Sequence, residues 1–244
     1  MVGFLRMGEK QHIRRIYRAL VKPVLTWISL LIGRHEENRK FTFQHRTNTF
    51  ATHQPVLWEA VQRTRGAVVE FGCGFGSTPM LHFLCSQQNR ELLTLESDPV
   101  WLSKFVKRYS TPHHRFLHVE DWDSLLKDPA IVDRKWDVAF VDQAPWEARH
   151  KTVVCMKKMC TFIVLHDCDY FPTNGMFGTV IKPIRNMNDT GERDYSDIFR
   201  YFKEYFPLPP WPYELTGPPT LIGSDFEPCD FEIDFGTYVT VQRP

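Results

Sequence analysis

The segment Val68-Val69-Glu70-Phe71-Gly72-Cys73-Gly74-Phe75-Gly76-Ser77-Thr78-Pro79 constrains this chain more than any other: a short apolar strand enters three glycines at alternate positions, and a helix opens behind them. Glycines at such a bend admit positive φ and let a ligand approach the backbone closely, while the helix start offers unpaired N–H groups. A strand–turn–helix of this kind belongs at the carboxyl edge of a parallel sheet. The rest of residues 52–166 repeats the alternation. A helix is predicted from an N-cap at Thr52, with Pro55 in its first turn, to about Arg63. Strands are predicted at Ala67–Phe71, Leu92–Leu95, Arg115–Val119, Trp136–Val141 and Thr161–Leu165. Helices fall between them at Ser77–Cys85, at Pro99–Arg108 behind the cap Asp98, and at Pro145–Met159. Short apolar runs separated by helices are what a parallel sheet covered on both faces requires. The expected fold class is α/β, a doubly wound, mainly parallel sheet.

The rhythm changes after residue 166. Residues 168–190, with Pro172, Asn174-Gly175, Gly178 and Pro183, read as a loop, and Asp194–Tyr205 reads as a helix. This aromatic-rich stretch, about 168–206, is expected to form a lid insertion. Thr220–Gly223 and Thr237–Val241 read as strands with no helix between them, so an antiparallel terminal pair is expected.

At the other end, Ile13, Ile16, Tyr17, Leu20, Val21, Val24, Ile28 and Leu31 recur at helical spacing, with Arg14, Arg15, Arg18 and Lys22 on the other faces. Residues 1–50 are read as a basic helical extension and 51–244 as the main domain. The helix either packs on that domain or lies, through residues 11–33, as a peripheral contact on an anionic membrane surface. Residues 1–40 hold nine Lys and Arg against three Glu, a net +6, whereas the other 204 hold 21 against 26, a net −5. A mildly acidic body argues against nucleic acid as a partner, because phosphate neutralisation needs a basic face. No apolar run reaches the roughly 18 residues that span a bilayer, which excludes a polytopic membrane protein. The six cysteines show neither Cys-x-x-Cys spacing nor a disulfide framework, and no cleavable signal peptide is read. They are expected to be reduced thiols in a cytoplasmic protein, membrane-associated if the basic helix lies on a membrane surface.

The glycine spacing decides among nucleotides. A dinucleotide fingerprint is G-x-G-x-x-G; here the third glycine comes early, at Gly76, and Ser77 stands where that fingerprint has glycine. Glu70, just before the turn, suits a cationic or amino-bearing ligand and would repel a pyrophosphate. Glu96 ends the next strand, where a carboxylate can accept from both ribose hydroxyls. Asp121 follows the third strand and can accept from the amine of adenine, with Trp122 as an apolar or stacking wall.

This ordered set is similar to the class I S-adenosylmethionine-dependent methyltransferases, a Rossmann-like superfamily whose pattern is an acid before G-x-G-x-G, then acids ending or following the second, third and fourth strands. The match runs over about residues 52–166, with Glu70, Gly72, Gly74, Gly76, Glu96, Asp121 and Asp142 in the corresponding places. The resemblance implies a seven-stranded α/β/α sandwich with a reversed last strand. It also implies S-adenosyl-L-methionine as cofactor, its methionine portion at Glu70, the glycines and Ser77, its ribose at Glu96, and its adenine at Asp121 and Trp122.

Two further segments would lie beside the methyl group, Asp142-Gln143-Ala144-Pro145-Trp146-Glu147-Ala148-Arg149-His150 and His166-Asp167-Cys168-Asp169. His166 is the candidate general base, since imidazole can accept a hydroxyl proton near neutrality, and Asp142 is a second catalytic candidate beside the methyl group. Arg149 is a candidate bidentate clamp for an anionic acceptor, or a cap on its own helix. Asp142, Asp167 and Asp169 are oxygen ligands of the kind Mg²⁺ favours. The related metal-dependent O-methyltransferases carry Asn after the catalytic Asp, however, and Cys168 is a poor ligand for a hard cation, so no metal is expected. Asp142-Gln143-Ala144-Pro145 lacks the aromatic that receives a flat amine in many N-methyltransferases. The expected activity is therefore methyl transfer to a hydroxyl of a small molecule or glycan precursor. Competing readings are a nicotinamide-dependent oxidoreductase, a cofactor-binding interaction protein without catalysis, and a membrane-bound enzyme acting on a lipid-linked sugar.

Overall fold

The computed structural model describes residues 40–168, 195–205, 218–234 and 240–242. The expected helix at 13–31, most of the expected lid and Asp169 lie outside the described residues. The main sheet has seven strands: β2 (Val68–Phe71), β3 (Leu92–Glu96), β4 (His114–His118), β5 (Trp136–Val141), β6 (Cys160–His166), β7 (Tyr201–Tyr205) and β8 (Thr220–Ser224). Their spatial order is β4-β3-β2-β5-β6-β8-β7. The strands from β4 to β6 pair in parallel, and β8 runs antiparallel to both its neighbours. The helices are α1 (Gln54–Gln62), α2 (Thr78–Gln87), α3 (Pro99–Tyr109), the short α4 (Trp122–Leu125) and α5 (Pro129–Val132), and α6 (Trp146–Met156). This is the doubly wound α/β architecture expected, with the reversed strand beside the edge.

Alternation along the strands builds the two cores. Val69, Phe71, Leu93, Leu95, Ala139 and Val141 join one cluster with Ala148 and Val153 of α6. Val68, Leu92, Val138 and Phe140 join the other with Val56 and Leu57 of α1 and Met80 and Leu84 of α2. Side chains of period two on a strand go to opposite faces, and here helices receive both. Phe41 and Phe43, within the stretch assigned by sequence to the N-terminal extension, are buried in the second cluster beside Trp58 and Phe83. They belong to the compact unit Phe41–Val241.

Three expectations need correction. Asp194–Tyr205 is not a helix: residues 196–198 turn, and 201–205 form β7. Tyr195, Ile198, Phe199 and Phe202 have helical spacing, yet what fixes the segment is β8, where Gly223 faces Phe202 and leaves the room that the Phe199 ring fills. Tertiary packing overrides periodicity here. The antiparallel partners of Thr220–Ser224 are consequently β6 and β7, while β9 (Thr240–Gln242) joins β1 (Lys40–Thr42) in a separate two-stranded sheet. Finally, Thr52 does not cap α1. The cap position is His53, and the Thr52 hydroxyl donates to the Pro218 carbonyl at 2.7 Å.

Candidate active site

Parallel pairing of adjacent strands brings the carboxyl ends of β4, β3, β2 and β5 to one edge, with Phe71 in register with Leu95 and Val141, and Glu96 with His118. The glycine turn leaves β2 at that edge. Gly72 has φ +87°, and a Cβ there would lie 2.7 Å from the backbone of Asp142 and Gln143, so the turn is pressed against the end of β5. Gly74 differs: a Cβ would meet only Ser77 Oγ, at 3.7 Å. Nothing among the described residues obliges this residue to be glycine, as is expected where a ligand, rather than the chain, needs the space.

Glu70 stabilises the turn from beneath. Its carboxylate accepts from Thr78 Oγ1 at 3.0 Å and Thr94 Oγ1 at 2.7 Å, and Thr78 Oγ1 in turn accepts from Gly74 N at 3.0 Å. The side chain is wholly buried, so Glu70 acts on the turn through Thr78 and is not itself presented to a ligand. Burial raises its pKa to about 7 against the pull of the Ser77, Thr94 and Thr78 hydroxyls. The polar path continues from Thr94 to His114 Nε2 at 2.9 Å and from His114 Nδ1 to His82 Nδ1 at 3.0 Å. Burial, then His82, drive the His114 pKa down to about 2, leaving a neutral imidazole.

Glu96 accepts from Cys73 N at 3.0 Å on one oxygen, and from Ser97 N and Asp98 N at 2.8 and 2.9 Å on the other. These backbone bonds fix the carboxylate at the edge, beside the glycine turn. Asp121 is exposed and caps α4, accepting from Ser124 Oγ at 2.6 Å and Ser124 N at 3.0 Å, bonds that lower its pKa. Trp122 is core: it is buried near Phe71, and its indole N–H donates to the Ala144 carbonyl at 2.8 Å. The free stacking wall expected of it is not what the structure provides.

Beyond β5 and β6 lies a charged cluster. Arg149 Nε donates to the Gln143 carbonyl at 2.8 Å, Nη1 to the His166 carbonyl at 3.0 Å and Asp167 Oδ2 at 3.3 Å, and Nη2 reaches the Asp142 carbonyl at 3.1 Å and Asp142 Oδ1 at 2.8 Å. Its side chain is only 8% exposed. Every nitrogen of the fork is therefore committed to the protein, and the anion-clamp role expected of Arg149 is corrected to one of holding the ends of β5 and β6 together. Asp167 adopts φ +52° within this grip.

His166 lies with Nδ1 3.3 Å from Asp142 Oδ1 and 3.5 Å from Asp167 Oδ2, and with Nε2 3.4 Å from Thr52 Oγ1. Burial works to lower its pKa, but the two carboxylates outweigh burial and the net shift is upward. Asp142 shifts down, since His166 and Arg149 overcome the burial that opposes them, and Asp167 shifts up, chiefly from burial and the nearby Asp142. Asp142, His166 and Asp167 place ligand atoms within 4.8 Å of one another. The guanidinium of Arg149 already stands against both carboxylates, however, so the trio fits a divalent cation poorly.

Sequence reasoning missed the segment Thr52-His53-Gln54. All three are buried, and Gln54 Nε2 donates to the Gly76 carbonyl at 2.7 Å. The available signal was three successive polar residues ahead of Pro55 at the start of an apolar helix.

No family model matches this chain, and no curated protein matches it. Among solved structures, spermidine synthase from Thermotoga maritima is 14% identical at a TM-score of 0.43, covering 76% of this chain and 62% of that one. A spermidine synthase in complex with the transition-state analogue AdoDATO is 13% identical at 0.47, over 76% and 64%. A SAM-dependent methyltransferase from Thiobacillus denitrificans, in complex with S-adenosyl-L-homocysteine, is 18% identical at 0.34, over 50% and 51%. The chain thus spans less than two thirds of the length of these proteins. Its own strand order, with β8 reversed between β6 and β7, is that of the class I methyltransferase fold.

Proposed function

We propose that this protein binds S-adenosyl-L-methionine and transfers its methyl group to a hydroxyl oxygen of a small molecule or glycan precursor. The observation that carries the cofactor reading is the setting of Gly74: a glycine with no need to be one among the described residues, at the sheet edge where Glu96 ends β3 and Asp121 follows the neighbouring β4. A sulfonium supplies an electrophilic methyl group without a metal or base. Three backbone donors orient the Glu96 carboxylate, and the remaining lone pair, on Oε2, faces only the weak Cys73 thiol at 3.6 Å and is open to exchange for a ribose hydroxyl. Asp121 stays ionised and accessible, able to accept from an adenine amine.

The protein's task is then positioning and exclusion of water. Asp142 and His166, tied in place through Arg149, form the polar wall at the ends of β5 and β6. The reversed β8 and Ser77 both disfavour a nicotinamide enzyme. Calorimetric titration with S-adenosylmethionine, S-adenosylhomocysteine and NADH tests the reading. Binding of the first two with no response to NADH is expected, and the opposite pattern rejects it. Screening metabolite extracts for radiolabelled methyl transfer then identifies the acceptor class; label appearing only on amines rejects the hydroxyl.

A further inference from the structure

His53 is the most exceptional polar residue in the described structure. It is 1% exposed, and neither Nδ1 nor Nε2 has a hydrogen-bond partner among the described residues. A buried polar atom left bare costs on the order of 1–3 kcal/mol, so a fold retains one chiefly where something else completes it. The ring is held by its neighbours. Thr52 ties the segment to His166 and Pro218, and Gln54 ties it to Gly76. The imidazole itself packs edge-on to His166 at 4.5 Å between centroids and against Phe140 at 4.7 Å. Its Cε1 and Nε2 lie 3.1 and 3.3 Å from where a Cβ on Gly76 would stand. It therefore sits between the glycine turn and the Asp142–His166 wall. Thr220 Oγ1, opposite His166 in the sheet register and so on the same face, is likewise bare.

We propose that the His53 imidazole touches the acceptor hydroxyl and receives its proton during methyl transfer. The inference rests on the methyl-transfer reading above. As the acceptor oxygen forms its bond to the methyl carbon, the carbon–sulfur pair stays on sulfur, and the hydroxyl proton passes to the free lone pair of His53. The positive charge that the sulfonium loses appears on the His53 imidazolium, so the net charge of the buried site does not change during the transfer. This balance suits a pocket in which an unpaired new charge would be costly. His53 fits the part better than His166. His166 stands against Asp142 and Asp167, which favour its protonated form, whereas burial and then the adjacent His166 keep His53 neutral, with only Asp142 opposing. A weakly basic imidazole also returns its proton readily once product leaves.

The test has three arms on the full chain. Calorimetry with S-adenosylhomocysteine comes first; no binding rejects the cofactor reading itself. Next, ¹³C,¹⁵N-histidine spectra are compared between the S-adenosylmethionine and S-adenosylhomocysteine complexes, with His53 assigned by its loss in His53→Gln. The His53 ring signals are expected to differ between the two complexes while those of exposed His113 coincide. Identical His53 signals, with S-adenosylhomocysteine binding intact, overturn the proposal alone. Lastly, His53→Gln should keep S-adenosylhomocysteine affinity within threefold but lose at least 100-fold in tritiated methyl transfer to the extract fraction that the wild type labels at pH 7. Wild-type labelling by that variant also overturns it. If the variant does not fold, or no extract is labelled, the wild-type spectra decide, with His53 then assigned from His53→Asn.

Discussion

Replacing Arg149 with methionine asks whether the guanidinium holds the site together or serves a ligand. Removing one partner of a buried ion pair costs about 3–5 kcal/mol, because the charge left behind is uncompensated. Here two carboxylates are left, but they are 25% and 17% exposed, so water softens the penalty and the lower end, about 3 kcal/mol, applies. Three carbonyls, those of Asp142, Gln143 and His166, lose their donor as well. For a compact unit of this size each kcal/mol lowers Tm by about 2–4 °C, so a fall of about 6–12 °C is expected. Urea unfolding at pH 7 with unchanged m-value measures the loss directly. Arg149→Lys should recover only part of it, since one ammonium cannot meet five oxygens spread over four residues. A loss below about 1 kcal/mol in Arg149→Met would refute this reasoning and return Arg149 to the anion-clamp role.

The glycine turn separates folding from binding: Gly72→Ala should destabilise by about 1–2 kcal/mol or more, because it forces positive φ and meets the Asp142 backbone, whereas Gly74→Ala should unfold like the wild type in urea but bind S-adenosylhomocysteine at least tenfold more weakly. Thr94→Val should cost about 1–3 kcal/mol by unfolding, since it strips a donor from buried Glu70 and a partner from His114; an isosteric variant as stable as the wild type would show that the path contributes nothing. His114 sets a pH dependence. Its folded pKa of about 2 lies below the unfolded 6.5, so its contribution is fully present above pH 6.5 and is lost as pH falls towards the folded value. At about 1.4 kcal/mol per pH unit, the wild type should lose roughly 2 kcal/mol between pH 6.5 and 5 from this residue alone, and parallel stability curves for wild type and His114→Asn would contradict that.

What could be read from the sequence divides along a physical line. The parallel strands were legible because buried strands are apolar on both faces, and Asp98 announced α3 because a cap works through local bonds, here to Val100 N and Trp101 N. The acids Glu96, Asp121 and Asp142 were legible because strand ends place them. Invisible from sequence were the roles that depend on what a side chain meets across the fold. Glu70 ends on two threonines, one 8 and one 24 residues away, and Arg149 closes on carbonyls that only the adjacency of β5 and β6 brings together. Tyr201–Tyr205 has the composition of either element, and it becomes a strand because β8 presents an unpaired edge and a glycine under Phe199.

His53 shows why the division matters for function. Strand ends, where parallel sheets bind ligands, mark His166 from sequence. The histidine with free nitrogens comes instead from the segment before the first helix of the domain, more than 100 residues away, because that segment packs across the ends of β2 and β6. Strand topology can specify where a cofactor lies, since it fixes neighbouring strand ends. The reacting face opposite must come from chain that crosses over the edge, and no periodicity in the sequence marks that crossing. The two histidines then divide by environment: the one against carboxylates is held towards its charged form, and the one among Phe140, Gly76 and His166 is held neutral. Such a pair with opposed proton affinities is how a site keeps an acid and a base available at one pH.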